Sequence, residues 1–274
     1  MKMTQPAPVD APVVAPVVAP VVTPVVAPAP VFISKETTLR LLKDVREVMA
    51  CAELGIYYKH SETNMLCGYA LLMGPPDSLY HGGYYFFKFR FPPDYPHAPP
   101  VVEFLTNDGE TRMHPNMYKS RKVCVSILNS WRGEQWSGCQ TIKSVLLTLM
   151  SLLDSKPLLN EPGITDKNPD YDAYHRIIQC KTYEFCMLHL LKSLDTFKQY
   201  IADIEYHEQF YAHMCAEFKK HHPHHLTRLT ALAAQYPHPE VLRTAHVYQI
   251  TATINYAAIL RAFKERVCMI CDEK

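Results

Sequence analysis

Proline constrains this chain more than any other residue. From Pro8 to Pro28 a proline returns every fourth residue (Pro12, Pro16, Pro20, Pro24), spaced mostly by valine and alanine. Each ring fixes φ and removes an N–H donor, so neither a helix nor a paired strand runs through such a tract. Residues 1–33 are therefore expected to be an extended polyproline II or disordered arm. A tether is favoured over a Pro-rich recognition ligand on composition. Pro92, Pro93, Pro96, Pro99 and Pro100 form a second cluster, and this one demands an ordered loop inside whatever fold surrounds it.

Folded structure is expected to begin near Ser34. Leu39, Leu42, Val45, Val48, Met49 and Ala52 recur at helical spacing, with Arg40, Lys43, Asp44, Arg46 and Glu47 mostly off that stripe. The spacing predicts an amphipathic first helix. Two aromatic-rich antiparallel strands follow, Tyr69–Met73 and Tyr84–Phe91, around the Gly74-Pro75-Pro76-Asp77 turn, and Val101–Leu105 resumes as a strand after the proline loop. Thr141–Leu153 has the period of a buried helix, and a further helix is expected from about Tyr171 through Leu194. The class is α+β, with an N-terminal helix, an antiparallel meander and helices after the sheet. Beyond residue 196 the chain changes character. Phe197–Lys220 and Glu240–Cys268 read as helices separated by the breakers His221-His222-Pro223-His224-His225 and Tyr236-Pro237-His238-Pro239. The organisation expected is an arm over 1–33, a catalytic core over 34–195 and a helical extension over 196–274.

Charge and cysteine content narrow the function classes. With 28 basic and 27 acidic residues there is no basic stripe of the kind that grips a phosphate backbone, so a protein partner is expected rather than nucleic acid. Nine scattered cysteines lack the pattern of a secreted disulfide scaffold, which points to a reducing compartment, cytoplasm or nucleus. No stretch has the roughly 18 consecutive apolar residues of a spanning helix, so no membrane association is expected. Neither His221, His222, His224 and His225 nor the Cys268/Cys271 pair has the companion ligands of a zinc site, so no metal and no cofactor are expected.

The chemistry concentrates between His114 and Trp136. A His114-Pro115-Asn116 corner precedes Cys124 by eight residues, and Val123, Val125, Ile127 and Leu128 would seat that cysteine against a core. A thiol there is a candidate acyl carrier, and Lys119, Arg121 and Lys122 lie close enough in sequence to favour thiolate. Asn116 carries a side-chain N–H suited to an oxyanion, with Pro115 holding its backbone.

These residues resemble the ubiquitin-conjugating enzyme core. The resemblance rests on Phe91-Pro92-Pro93-Asp94-Tyr95-Pro96 with Pro99-Pro100, then His114-Pro115-Asn116, Lys122-Val123-Cys124, Trp136 and the Ile142–Leu153 helix, and it spans about Leu39–Leu190. Within that family it is closest to the large Z-type branch, on Cys124-Val125-Ser126-Ile127-Leu128, the longer Trp131–Trp136 segment and Asn160-Glu161-Pro162-Gly163. The resemblance implies that Cys124 accepts ubiquitin or a ubiquitin-like modifier as a thioester from an activating enzyme and passes it to a substrate lysine or a ligase. It implies a structural His114, an oxyanion or loop-holding Asn116, and Glu161 with Asn160 as an acidic or polar gate for the lysine. It also implies that Arg40, Lys43 and Arg46 meet the activating enzyme, and that His97, Ser137 and Gly138 lie on the ligase side. Departures from the family pattern are Ser120-Arg121 in place of an Asn-Gly turn, Ser126 in place of aspartate, Gly138 in place of proline and His97 in place of a large apolar residue.

Two other readings compete: a non-catalytic scaffold of the same fold, and a cysteine hydrolase built on Cys124 and His114. The first is weakened by retention of both Cys124 and Asn116. The second needs a histidine free to act as base, whereas the corner commits His114 to the backbone.

Overall fold

Helix α1 spans Lys35–Met49 and opens on Ser34, whose hydroxyl accepts from the Thr37 N–H at 3.0 Å. The computed structural model describes residues 32–271, so the expected proline-rich arm lies outside the described residues. The inward face of α1 carries Thr37, Leu41, Asp44 and Val48. Leu39, Leu42 and Met49, expected in the core, are instead exposed by 58%, 44% and 58%. Val48 is buried as the spacing implies and Val45 is half-buried, but the inward stripe otherwise runs through Thr37, Leu41 and Asp44. Asp44 sits inward bonded by Arg40 Nε at 2.8 Å and by the Tyr95 hydroxyl, partners that make burial of a carboxylate tolerable.

Four strands follow as an antiparallel meander: β1 (Ile56–His60), β2 (Cys67–Met73), β3 (Tyr84–Arg90) and β4 (Val101–Phe104). Strand β1, a short Ile-Tyr-Tyr-Lys-His segment with no clean alternation, lies outside the two strands expected before the proline loop. In register, Tyr57, Leu71 and Phe86 lie side by side, as do Tyr58, Ala70 and Phe87 on the opposite face. The approach is close at Gly68, where a Cβ would lie 1.9 Å from the Tyr58 hydroxyl and would push that ring aside. Nearly every residue of β2 and β3 is buried, because both sheet faces are covered.

After the sheet come α2 (Ile142–Leu152), closed at its start by a Thr141/Ser144 capping box, and α3 (Tyr171–Lys181), which runs on in π-helical turns over Thr182–His189. Helices α4 (Leu194–Tyr200) and α5 (His207–Gln235) lie on the Phe86 face of the sheet. Phe86 meets Phe197 and Phe210 at ring distances of 5.0 and 5.5 Å, and Tyr57 stacks on His213 at 4.5 Å. The C-terminal region thereby shares one hydrophobic core with the sheet.

Three expectations for this region are overturned. Phe197–Lys220 is not one helix, because the chain turns over 201–206 between α4 and α5. The His221–His225 segment does not break a helix; Pro223 lies inside α5. The proline leaves the Lys219 carbonyl without its i+4 amide partner, and the His222 ring donates from Nδ1 to that oxygen at 2.9 Å. Glu240–Cys268 is not one helix either. It forms strands β5 (Glu240–Arg243) and β6 (Thr251–Ile254), paired antiparallel, before α6 (Tyr256–Cys271). Thr251, Thr253 and Ile254, three β-branched residues in four, mark the strand that helical periodicity concealed.

No helix among the described residues is long and apolar enough to cross a membrane. No group of three or more His, Cys, Asp or Glu placed to hold a metal occurs among them either.

Candidate active site

Between β4 and α2 the chain forms little regular structure, and backbone hydrogen bonds fold it into a tight double layer. Met117 N–H donates to His114 O at 3.0 Å, Tyr118 N–H to Lys122 O at 2.9 Å, and Cys124 N–H to Asn116 O at 2.9 Å. The eight-residue interval from Asn116 to Cys124 is thus a small hairpin whose two ends meet. Asn116 closes it from the other side, donating from Nδ2 to the Cys124 carbonyl at 2.6 Å. Its Oδ1 is buried with no partner among the described residues. An amide nitrogen carries two hydrogens, so one N–H holds the loop and one is left over. Cys124 is 4% exposed, with Val123 and Val125 buried on either side, as the apolar run implied.

The hairpin's tip is strained. Arg121, standing where the resemblance leads one to expect glycine, takes a φ of 69°, in the left-handed region that disfavours L side chains. Its guanidinium pairs with Asp203, from the segment after α4, rather than with the thiol. That removes one of the three cations invoked for a thiolate; Lys119 and Lys122 are exposed at the surface.

His114 is fully buried, and its Nδ1 accepts the Asn116 N–H at 3.0 Å. Burial pushes the ring down to about 3, with the Leu152 carbonyl pulling the other way and Arg112 adding to the fall. A neutral ring with Nδ1 committed to the backbone braces the corner and has no free base to offer Cys124, which argues against the hydrolase.

Arg112 was not singled out from the sequence, yet it organises the corner. It donates from Nε to His114 O at 3.1 Å and from one terminal nitrogen to Pro115 O at 2.5 Å, and it lies 3.4 Å from the Tyr118 ring centroid. Tyr174 of α3 donates to the Arg112 carbonyl at 2.9 Å. The signal available beforehand was only an arginine two residues from the corner.

Asn160 and Glu161 close a short 3₁₀ turn over Pro157–Asn160. Asn160 spends its Nδ2 locally, on Pro157 O at 3.1 Å and Asp154 Oδ2 at 3.5 Å. Glu161 Oε2 accepts from the hydroxyl of Tyr248, a residue in the β5–β6 loop that the sequence reading placed in a helix.

The docking candidates divide. Arg40 is turned inward: besides Asp44 it bonds Gly138 O at 2.7 Å and Gln140 O at 2.5 Å. Lys43 and Arg46 are exposed on α1. His97, Ser137 and Gly138 are exposed and brought together, because Trp136 Nε1 donates to Pro96 O at 2.8 Å and its ring lies 5.8 Å from Tyr95.

A family model described as ubiquitin-conjugating enzyme matches residues 40–180. Similar curated proteins include a ubiquitin-conjugating enzyme E2 Z from Xenopus tropicalis, 36% identical over 157 residues, which are 57% of this chain and 48% of that protein. Those from Danio rerio (37% over 157 residues, 57% and 46%) and Homo sapiens (38% over 152 residues, 55% and 41%) are comparable. The chain thus spans less than half the length of these relatives.

Proposed function

This chain belongs to the ubiquitin-conjugating enzyme family, and from that premise we propose that it carries ubiquitin or a ubiquitin-like modifier as a thioester on Cys124. Cys124 gives up its proton, and the thiolate attacks the modifier's C-terminal thioester carbonyl, presented by an activating enzyme; the C–S bond to Cys124 forms, the C–S bond to the activating enzyme's cysteine breaks, and that sulfur leaves as thiolate and takes up a proton. A lysine amine, or a ligase thiol, then attacks the same carbon, and Cys124 leaves as thiolate. No resident metal or organic cofactor takes part. The observation that carries the reading is the closure of the loop on itself: Asn116 and Cys124 exchange a backbone bond at 2.9 Å and a side-chain bond at 2.6 Å, which fixes the thiol's backbone beside an amide donor.

In this reading Asn116 holds the loop with one N–H and meets the tetrahedral oxyanion with the other, a service that such donors perform with gains of about 10²–10³ in rate. His114 braces the corner. Glu161 receives the lysine and draws off its proton, and Asn160 shapes the turn that presents it. The activating enzyme docks on the exposed cations Lys43 and Arg46 of α1, and Arg40 serves this surface indirectly by fixing the helix against the 136–140 loop. A ligase docks on His97, Ser137 and Gly138. The catalytic core is residues 34–195, the extension 196–274 supports it, and a reducing compartment, cytoplasm or nucleus, keeps the thiols free.

Incubation with activating enzyme, ATP and a panel of modifiers tests this. A thiol-sensitive adduct should form and should vanish in Cys124→Ala; no adduct with any modifier sinks the proposal.

A further inference from the structure

Tyr248 belongs to a part of the chain that carries no motif pointing to chemistry. It sits in the loop joining β5 and β6, with φ of 60°, followed by Gln249 at φ 50°. Two successive non-glycine residues in the left-handed region are costly and persist only where the surroundings fix them. Here the fixing is visible. Asp170 Oδ1 accepts from Ala245 N–H at 3.0 Å, and its Oδ2 accepts from His246 and Val247 N–H at 2.6 and 2.7 Å. Thr244 and Ile250 close the loop with a backbone bond at 2.9 Å.

The result is a phenol that links Glu161 to Arg112, the residue that braces the corner. Its hydroxyl donates to Glu161 Oε2. Its ring lies 5.0 Å from the Arg112 guanidinium, which holds the His114 and Pro115 carbonyls, and 5.8 Å from the Tyr174 ring. Burial and the Glu161 carboxylate both push the phenol's titration upward, so it remains a protonated donor at any pH at which the protein works. A carboxylate is an acceptor at both oxygens, and a donor fixed on one of them sets the direction of the other.

We propose that Tyr248 is a positioning residue for lysine attack: by holding Oε2 of Glu161 it aims Oε1 at the incoming amine, and through Arg112 it ties that gate to the His114-Pro115-Asn116 corner. This deepens the function proposed above and rests on it. In the step concerned, the lysine nitrogen bonds to the thioester carbon, its proton passes to Glu161 Oε1 and on to water, the C–S bond breaks, and Cys124 departs as thiolate. The C-terminal extension thereby supplies part of the transfer site, while nucleophiles that arrive already deprotonated have no use for it.

The test is a single-turnover chase of the charged protein with free lysine and, in parallel, with a small thiol, across a pH series. Tyr248→Phe deletes only the hydroxyl and keeps the ring over Arg112. Lysine discharge should fall roughly tenfold, the scale of one hydrogen bond to a charged group, with its pH profile moved upward, while discharge to the thiol stays at the wild-type rate. Glu161→Gln should lose a similar factor, and the double variant should be no slower than Glu161→Gln alone, because the two side chains act as one device. Equal slowing with both nucleophiles would reveal mere loop support and overturn the proposal, as would unchanged lysine discharge or multiplying defects in the double variant. Failure of the wild-type protein to charge is a separate outcome. It would overturn the functional reading, and this proposal with it.

Discussion

Replacing Asp170 by asparagine should detach the β5–β6 loop at a calculable cost. The carboxylate is 4% exposed and accepts three backbone N–H groups, one on Oδ1 and two on Oδ2. Burial alone would raise its titration, but the three N–H donors of Ala245, Val247 and His246 outweigh it and hold the group below the ordinary carboxylate range. Asparagine offers one oxygen, so with that oxygen toward His246 and Val247 its NH₂ faces the Ala245 N–H, donor against donor. Losing one bond and the charge from the other two costs about 2–4 kcal/mol, or a fall in Tm of roughly 6–12 °C for a domain of this size. The pH dependence is a second signature. Because the folded group titrates below the unfolded value of about 3.9, its stabilisation is whole above that pH and drains away as pH falls through the folded value. Thermal melts of both proteins at descending pH should therefore show a gap that is constant near neutrality and closes below about pH 4. A variant melting within about a degree of wild type at neutral pH, or a gap that persists unchanged into acid, would refute the reasoning.

Buried His225 and half-buried His81 predict a different acid sensitivity. Burial lowers His225 to about 3 and His81 to about 4, with neighbouring His and Arg charges adding to the fall, so the unfolded chain takes up their protons first. Stability from these groups is intact above roughly pH 6.5 and declines below it, and the Tm of His225→Leu should fall less steeply than that of wild type from there downward. On α1, Arg40→Ala strips a buried Asp44 of its cation and frees Gly138 and Gln140, and should cost about 3 kcal/mol in chemical denaturation. Lys43→Ala, an exposed change, should leave stability within about 0.5 kcal/mol of wild type while slowing charging by the activating enzyme.

The stretch proposed to carry the chemistry was legible as a local structure. The interval between Asn116 and Cys124 is one small hairpin, the His-Pro-Asn corner uses its own backbone, and the proline loop declares itself by what proline forbids. The α+β class and the α2 face followed from periodicity for the same reason. What stayed hidden depends on contacts far apart in sequence. Asp44 reads as a surface residue until Tyr95 and Arg40 are seen around it. Pro223 reads as a breaker until His222 is seen to take up the carbonyl it frees. Arg112 and Tyr248 carry no signal of their own, since each acquires its place from partners as distant as Tyr174 and Glu161. The hairpin of β5 and β6 was lost in a helical pattern because four-residue strands are too short to display a period against flanking helix-formers.

The central claim is that Cys124 carries an acyl group, and intact mass measurement of the charged protein tests it most directly. After incubation with activating enzyme, ATP and a modifier, the account predicts a mass gain equal to the modifier less one water, located on Cys124, reversed by thiol and absent from Cys124→Ala. An adduct on any of the other cysteines, one that survives thiol treatment, or none with any modifier would contradict it.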